Sequence, residues 1–192
     1  MLNNFLKYLE TKIDLSDQVL AFIRMRSIVK KVAKRRFLLQ EGDMSRYHIF
    51  VSVGILRMYR VDDRGLEHIL KFSAENSWMG DRESMFGGSP SNYSIDAIED
   101  SEVVLISKEN FTELMELSAD FAFFANDLFQ RSFIDSQNRI LSNISLSSEE
   151  KYLDFLQRYP ELHSRIPQHM IASFLGLTAE TLSRIKTSYP KK

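Results

Sequence analysis

Residues 166–185 read IPQHMIASFLGLTAETLSRI. Two short apolar-periodic segments flank one glycine, and Ile171, Leu175, Leu177, Leu182 and Ile185 fall where they can close a small three-sided core. Pro167 can open the first helix, because a proline at a helix start gives up a donor that has no partner there anyway. Gly176 permits the sharp reversal between the two segments. Thr178 is a good N-cap for the second helix, and Glu180 falls in its first turn, where a carboxylate suits the helix dipole. The spacing predicts a helix-turn-helix, although an ordinary helical hairpin closing a globular domain has the same spacing. In the helix-turn-helix reading, Thr181, Ser183 and Arg184 lie on the part of the second helix that enters a major groove. Gln168 and His169, at the start of the first helix, would contact the DNA backbone.

Charge is distributed in a way that fits this reading. The chain has a net charge of -1 over 192 residues. Residues 109–161 hold four Lys/Arg against ten Asp/Glu, whereas residues 165–192 hold five Lys/Arg against Glu180 alone. A small basic module on an acidic body suits phosphate contacts confined to one end, and a second copy would double the footprint.

The remaining composition, 44% hydrophobic and 27% charged, is that of a soluble folded protein. No apolar run approaches the roughly 20 residues needed to cross a bilayer. The N-terminus has no secretory pattern, so a cytoplasmic location without membrane association is expected. The absence of cysteine excludes disulfides, cysteine-ligated iron-sulfur clusters and Cys-based zinc sites. His48, His68, His163 and His169 show no metal-site spacing. They are expected to be partly exposed structural side chains, and no cofactor is expected. No cluster of acid, base and nucleophile emerges, so the chain is not expected to be an enzyme.

Upstream, residues 1–26 have helical periodicity, with Ser16 as a cap. From residue 27 to residue 107 the pattern changes to short extended runs: SIVKKVA, RFLLQEGD, HIFVSVGILRMYRV, HILKF, YSIDAIE and SEVVLIS. Turn chemistry at Glu41–Asp43, Asp62–Gly65 and Phe86–Pro90 separates them, which predicts an antiparallel barrel or sandwich. Val53-Gly54 predicts a bulge or tight turn inside a strong strand pattern. Phe111, Leu114, Phe121, Phe124, Leu128 and residues towards Ile140 then trace the stripe of one long helix. Its length exceeds what a small barrel can cover, so a second copy packing along the stripe is expected; a helix broken into two, with its apolar groups satisfied within one chain, is the alternative. Asn143–Ser147 reads as a hinge, and Ser147 with Glu150 has capping-box spacing for a helix that Pro160 stops.

In this order the parts resemble the Crp/Fnr superfamily of bacterial regulators. That resemblance covers nearly the whole chain. Phe37-LLQEGD-Met44 and Ile49-FVSVGILRMY-Arg60 are similar to the superfamily's strand-turn-strand hallmark, Met79–Asp81 through Ser107 to its phosphate-cassette region, and residues 166–186 to its recognition module. The wording YLDFLQRYP and IPQHMIASFLG resembles short members found in the Bacteroidetes. The resemblance implies an α+β chain in three parts. Residues 1–110 would be a cyclic-nucleotide-binding-like jelly roll with N-terminal helices, 111–143 a dimerisation helix, and 144–192 a helix-turn-helix domain. It further implies a homodimeric transcriptional regulator on double-stranded DNA, with RNA polymerase as a further partner. Arg184 would read guanine or clamp phosphate, Glu180 would accept from cytosine, and Thr181 would touch phosphate or a thymine methyl. Thr178 and Ser183 complete the expected surface.

Two departures qualify what the resemblance implies. Trp78, Gly80, Asp81, Ser91 and Asn92 mark the expected effector pocket, but the superfamily's phosphate-holding Arg-Ser pair falls on Ser91-Asn92. No guanidinium is left there for a cyclic phosphate, so cyclic AMP is not the expected effector; no small effector, or a different small ligand, is. Near the C-terminus, a basic reader often precedes the glutamate, where this chain has Ala179, and no residues remain for the wing that usually follows the recognition helix. The alternative reading is a ligand-binding or protein-interaction module with a degenerate helix-turn-helix.

Overall fold

The structure, a computed structural model, describes residues 1–188. It is α+β, an antiparallel jelly roll followed by helices. Two helices, α1 (Leu2–Glu10) and α2 (Asp17–Arg26), come first, and the Ser16 hydroxyl caps α2 by accepting from Val19 N. Eight strands follow: β1 (Ile28–Val32), β2 (Phe37–Leu39), β3 (Tyr47–Val53), β4 (Leu56–Val61), β5 (Glu67–Ser73), β6 (Ser77–Met79), β7 (Ser94–Ala97) and β8 (Ser101–Ser107). They form two four-stranded antiparallel sheets in the orders β1-β8-β3-β6 and β2-β7-β4-β5.

The continuous run HIFVSVGILRMYRV does not form one bulged strand. β3 and β4 lie in different sheets, and Gly54 is the corner between them. Its φ is +94°, and a Cβ there would meet Ser101 Oγ at 2.2 Å, so the position requires glycine on two counts. A register shift between Val51 and Val53 bends β3 into that corner.

Strand alternation sorts the apolar residues into three stacked cores. Ile49, Val51, Leu56, Met58, Ile95, Val103 and Leu105 fill the space between the sheets. Phe50, Trp78, Val104 and Ile106 face the other way and are covered by α1, α2 and two later helices. Ile55, Tyr59, Ile69 and Phe72, with Ile98 from the turn after β7, carry the C-terminal helices. Because β3 and β8 are buried on both faces, they read as apolar runs rather than alternating patterns.

The single long helix expected over 111–143 is instead two, α4 (Lys108–Leu117) and α5 (Ala119–Ser145). Ser118 breaks it with an extended backbone, φ -139° and ψ 117°, and its hydroxyl accepts from Phe121 N to start α5. The break lets α4 bury Phe111 and Leu114, and the first turns of α5 bury Phe121, Phe124 and Ala125, all on the chain's own sheet. Beyond that point α5 leaves the barrel, and Phe133, Ile134, Ile140, Leu141 and Ile144 are exposed.

After Leu146, a capping box between Ser147 and Glu150 starts α6 (Ser148–Arg158). It is followed by α7 (Leu162–Arg165), α8 (Gln168–Leu175) and α9 (Ala179–Ser188). One short helix lies in the barrel, α3 (Arg82–Gly87), in a stretch that the sequence presents mainly as turn chemistry. The expected absence of a wing after α9 concerns positions 189–192 and beyond, outside the described residues. Among the described residues no helix is long and apolar enough to cross a membrane.

Candidate functional site

The helix-turn-helix is built as the apolar spacing requires. Pro167 stands at the N-cap of α8, and Gly176 ends it in the left-handed region at φ +67°. Thr178 caps α9 by accepting from Thr181 N at 3.1 Å. Ile171, Ala172, Leu175, Leu182 and Ile185 are buried in the core shared with α6 and α7. That anchoring sets the outward face of α9. Glu180, Ser183 and Arg184 are exposed and Thr181 is half-buried beside them. Gln168 and His169 are exposed at the start of α8. The seven expected contact residues therefore lie on one module, two at the start of α8 and five from the cap of α9 onward. Hydrogen bonding by its own backbone and by Thr178, with Arg184 nearby, lowers the pKa of Glu180 and favours an ionised acceptor.

Arg165 belongs to the basic tail by sequence but is already committed. Its guanidinium takes Glu75 bidentately at 2.7 and 3.0 Å and also bonds Glu99. The Arg165 hydrogen bonds in turn pull Glu75 down to about 2. Arg165 thus pins the module to the barrel, and the charge that α8 and α9 present to a partner is smaller than the sequence count.

Two further groups hold the module in place. β5 is an outer strand of its sheet, with an unpaired edge. Ser173 on α8 satisfies part of that edge, its hydroxyl donating to Glu67 O at 2.6 Å and accepting from Ile69 N at 3.0 Å. Arg139 on α5 donates to Ile69 O at 2.8 Å, to Leu70 O, and to Phe174 O at 3.3 Å, while its guanidinium lies 4.4 Å from the Phe174 ring centroid. Neither residue stands out in the sequence. A serine at mid-helix and an arginine on a polar-looking helix give no periodic signal.

The effector-pocket residues are only partly brought together. Asp81 is buried and caps α3, accepting from Ser84 N at 3.3 Å, and its other oxygen accepts from Ser91 Oγ at 2.6 Å. Both carboxylate oxygens are therefore engaged within the chain. Gly80 is close to β3, where a Cβ would lie 3.2 Å from Tyr47 O. Asn92 is exposed. Trp78 faces away from Asp81 and Ser91, among the rings of Phe5, Phe50, Phe111 and Phe124 beneath the helices. Arg82 also points away, its guanidinium 3.7 Å from the Phe129 ring centroid on α5. An open cleft of about 460 Å³ adjoins these residues, between β2 and β3, lined by Leu39, Tyr47, Ile49 and Ile95 with Asp43, Ser45 and Arg46 as polar members; Gly42 N donates to Ser91 O and Ser91 N to Asp43 O, both at 2.8 Å. Lys71 is a half-buried cation that the sequence pattern hides. Its Nζ donates to Trp78 O at 2.9 Å, and burial lowers its pKa.

His48 departs from the expected partial exposure. It is 5% exposed, stacked on Phe111 at 4.0 Å between centroids, with no hydrogen-bond partner for Nε2. Burial, with Arg82 adding to it, lowers its pKa to about 4. It lies at a strand position flanked by Tyr47 and Ile49, so alternation alone gives no sign that a helix covers it.

Comparison with known proteins follows these features closely. Residues 29–118 match the family model described as the cyclic nucleotide-binding domain. The transcriptional activatory protein AadR of Rhodopseudomonas palustris is 27% identical over 150 residues, 72% of this chain and 61% of that protein. The match thus spans less than two thirds of that relative's length. Among solved structures, FixK2 from Bradyrhizobium japonicum aligns with a TM-score of 0.75 at 18% identity, covering 84% of this chain and 83% of that one. The c-di-GMP responsive regulator CLP of Xanthomonas campestris aligns at 0.71 and 14% identity, covering 90% and 91%. A protein described as a transcriptional regulator of the crp/fnr family from Eubacterium rectale aligns at 0.71 and 22% identity, covering 91% and 83%. These solved structures share the fold of this chain, an antiparallel β domain followed by helices.

Proposed function

We propose that this chain is a dimeric, sequence-specific DNA-binding transcriptional regulator of the Crp/Fnr type that carries out no chemical reaction. The observation that carries the reading is the outward face of α9, where Glu180, Ser183 and Arg184 stand exposed on a helix fixed from behind by Leu182 and Ile185. A long donor, an acceptor and short hydroxyls on one capped helix are the groups needed to distinguish base edges in a major groove. The pairing of two copies is supported by α5, whose apolar residues Phe133, Ile140 and Ile144 have no cover within the chain. The short Bacteroidetes-type assignment rests only on the wording of residues 152–176. Contact with RNA polymerase and work in the cytoplasm belong to the same proposal.

The effector reading follows from Asp81. Asp81, the carboxylate that the resemblance would place on a ribose hydroxyl, is buried, and each of its oxygens already accepts within the chain, from Ser84 N and from Ser91 Oγ. With no arginine at 91 or 92, the region lacks a strong phosphate ligand. We therefore propose an effector other than cyclic AMP, or none. In the other reading, a protein-interaction module with a degenerate helix-turn-helix, Ala179 is the favouring observation.

The test is selection of sites from random duplex DNA at a stated salt concentration, with Arg184→Ala alongside. A two-fold symmetric motif with half-sites about one helical turn apart is expected. The Arg184→Ala protein should lose about 1–3 kcal/mol of discrimination at one position of each half-site. An unchanged preference removes Arg184 from base reading. Failure of the folded dimer to enrich any motif favours the interaction module.

A further inference from the structure

Ser91 stands where the resemblance puts a phosphate-holding side chain, and it is 2% exposed. Its hydroxyl lies 2.6 Å from one carboxylate oxygen of Asp81, ten residues earlier in the chain, and accepts from Tyr93 N at 3.1 Å. A hydroxyl has one proton to give, and the short contact to an ionised acceptor is the stronger use of it. Tyr93 O, at 3.0 Å, is the weaker claimant. The Asp81–Ser91 bond therefore joins the two ends of the segment between β6 and β7, residues 80–93.

The barrel and its helices fix the same segment from outside. Ser91 N donates to Asp43 O and Ser91 O accepts from Gly42 N, so this residue is held by backbone as well as side chain. Ser84, 1% exposed, accepts from Ser45 N at 3.0 Å. Lys108 Nζ, at the start of α4, donates to Met85 O at 2.9 Å, and the Arg82 guanidinium covers the Phe129 ring of α5. Asp81, Ser84 and Ser91 are all buried, and each has its partners within the chain. A segment waiting for an anion would keep a buried donor unmatched in its absence, at a cost in free energy. Here the buried side chains are matched already.

A serine in a turn often bonds backbone two residues on, and the contact with Tyr93 N is of that kind. That local role needs no carboxylate. It leaves unexplained why Ser91 also takes up Asp81, the residue to which the resemblance gives a ribose hydroxyl.

We propose that the Asp81–Ser91 bond is a built-in substitute for a small effector: it holds residues 80–93 shut on the barrel, so that the chain binds DNA without a ligand. The proposal rests on the DNA reading of α8 and α9, and it takes the second of the two effector alternatives, none. An effector acts by favouring one of two conformations over the other. A bond present only in the closed conformation biases the same equilibrium from within. Contact runs from the closed segment through Arg82 to Phe129 on α5, and from Arg139 on that helix to Phe174 O at the end of α8.

The experiment measures affinity for the motif enriched in site selection. Full-length wild type is assayed as purified and again after unfolding in urea, removal of small molecules and refolding. Ser91→Ala and Asp81→Asn are assayed beside it, with thermal melting to report folding and hydrogen exchange to report residues 80–93. Stripped wild type should keep its affinity. Ser91→Ala removes the donor and should weaken DNA binding about tenfold, the lower end for a hydrogen bond to a charged group. Residues 80–93 should exchange faster in that variant while β3 and β8 keep their protection. Asp81→Asn keeps the shape but not the charge and should show a smaller loss in the same direction. Cyclic AMP should restore neither. The proposal is overturned by refolded wild type that no longer binds, by Ser91→Ala that leaves either the segment or the affinity unchanged, or by rescue with cyclic AMP. If Ser91→Ala does not fold, Asp81→Asn decides by the same two readings. Binding before stripping but not after sinks the built-in substitute alone. If wild type binds no motif even as purified, the DNA reading fails and the proposal with it.

Discussion

At the scale of single residues, His48 carries an unmet polar requirement inside the barrel domain. Its ring lies against Phe111, near Phe86 and Phe129, with the Arg82 charge acting on it and no partner for Nε2. Such a site accepts imidazole and rejects imidazolium. In the unfolded chain the ring takes a proton below about pH 6.5, whereas the folded chain resists it down to about 4. Between those values the unfolded state binds more protons, so stability falls as pH falls through the window. The full shift corresponds to about 3 kcal/mol, at ~1.36 kcal/mol per unit. Urea unfolding from pH 7 to pH 4.5 should show this loss, and His48→Phe should remove most of it. Glu75 titrates in the same direction but lower, from its ordinary range down to about 2, so it leaves most of the His48 window clear. An acid limb of equal steepness in both proteins would refute the account.

At the scale of elements, α5 is two helices in function though one in geometry. Its first turns bury Phe121, Phe124 and Ala125 on the barrel, and its last turns expose Ile140 at 60% and Ile144 at 79%. Burying one such side chain contributes about 1.5–3 kcal/mol, and two-fold symmetry counts it twice. Ile140→Glu should therefore weaken dimerisation by about 3–6 kcal/mol, at least a hundredfold in dissociation constant. Sedimentation equilibrium would show monomer at concentrations where wild type is dimeric, and a variant that stays dimeric would move the interface elsewhere. Most of this architecture was legible because periodicity reports which face an element buries. The strands from Ile28 to Ser107, the stripe on α5, and the caps Ser16, Ser147 and Thr178 all carry such a signal. What periodicity cannot report is termination by a single residue or burial that depends on a distant element. Ser118 interrupts a continuous stripe, and Trp78 lies in a three-residue strand too short to show alternation. Asp81 and Ser91 were legible as candidates, but their mutual hydrogen bond depends on a cassette fold that local sequence does not specify.

At the scale of the whole molecule, the helix-turn-helix module and the barrel share one core and one set of polar ties. Arg139 is central to those ties because it touches three parts at once: its own helix α5, the edge of β5, and the end of α8 at Phe174. Its guanidinium is largely buried and has no carboxylate partner in the described residues, so its binding comes from three carbonyls and an aromatic face. Replacing it with methionine keeps the aliphatic length but leaves those carbonyls short of donors, which costs on the order of 1–3 kcal/mol for a buried group. The loss should appear as looser docking rather than a disordered barrel, because the core between the sheets contains none of these groups. Hydrogen exchange measures the difference directly. In Arg139→Met, the amides of Ile69 and of residues 168–175 should exchange faster, while those of β3 and β8 keep their protection. Ser173→Ala should expose the Ile69 amide alone, since that hydroxyl is its acceptor. If Arg139→Met leaves β5 and α8 as protected as in wild type, the arginine is not what ties the helical module to the barrel, and the shared apolar core carries the junction by itself.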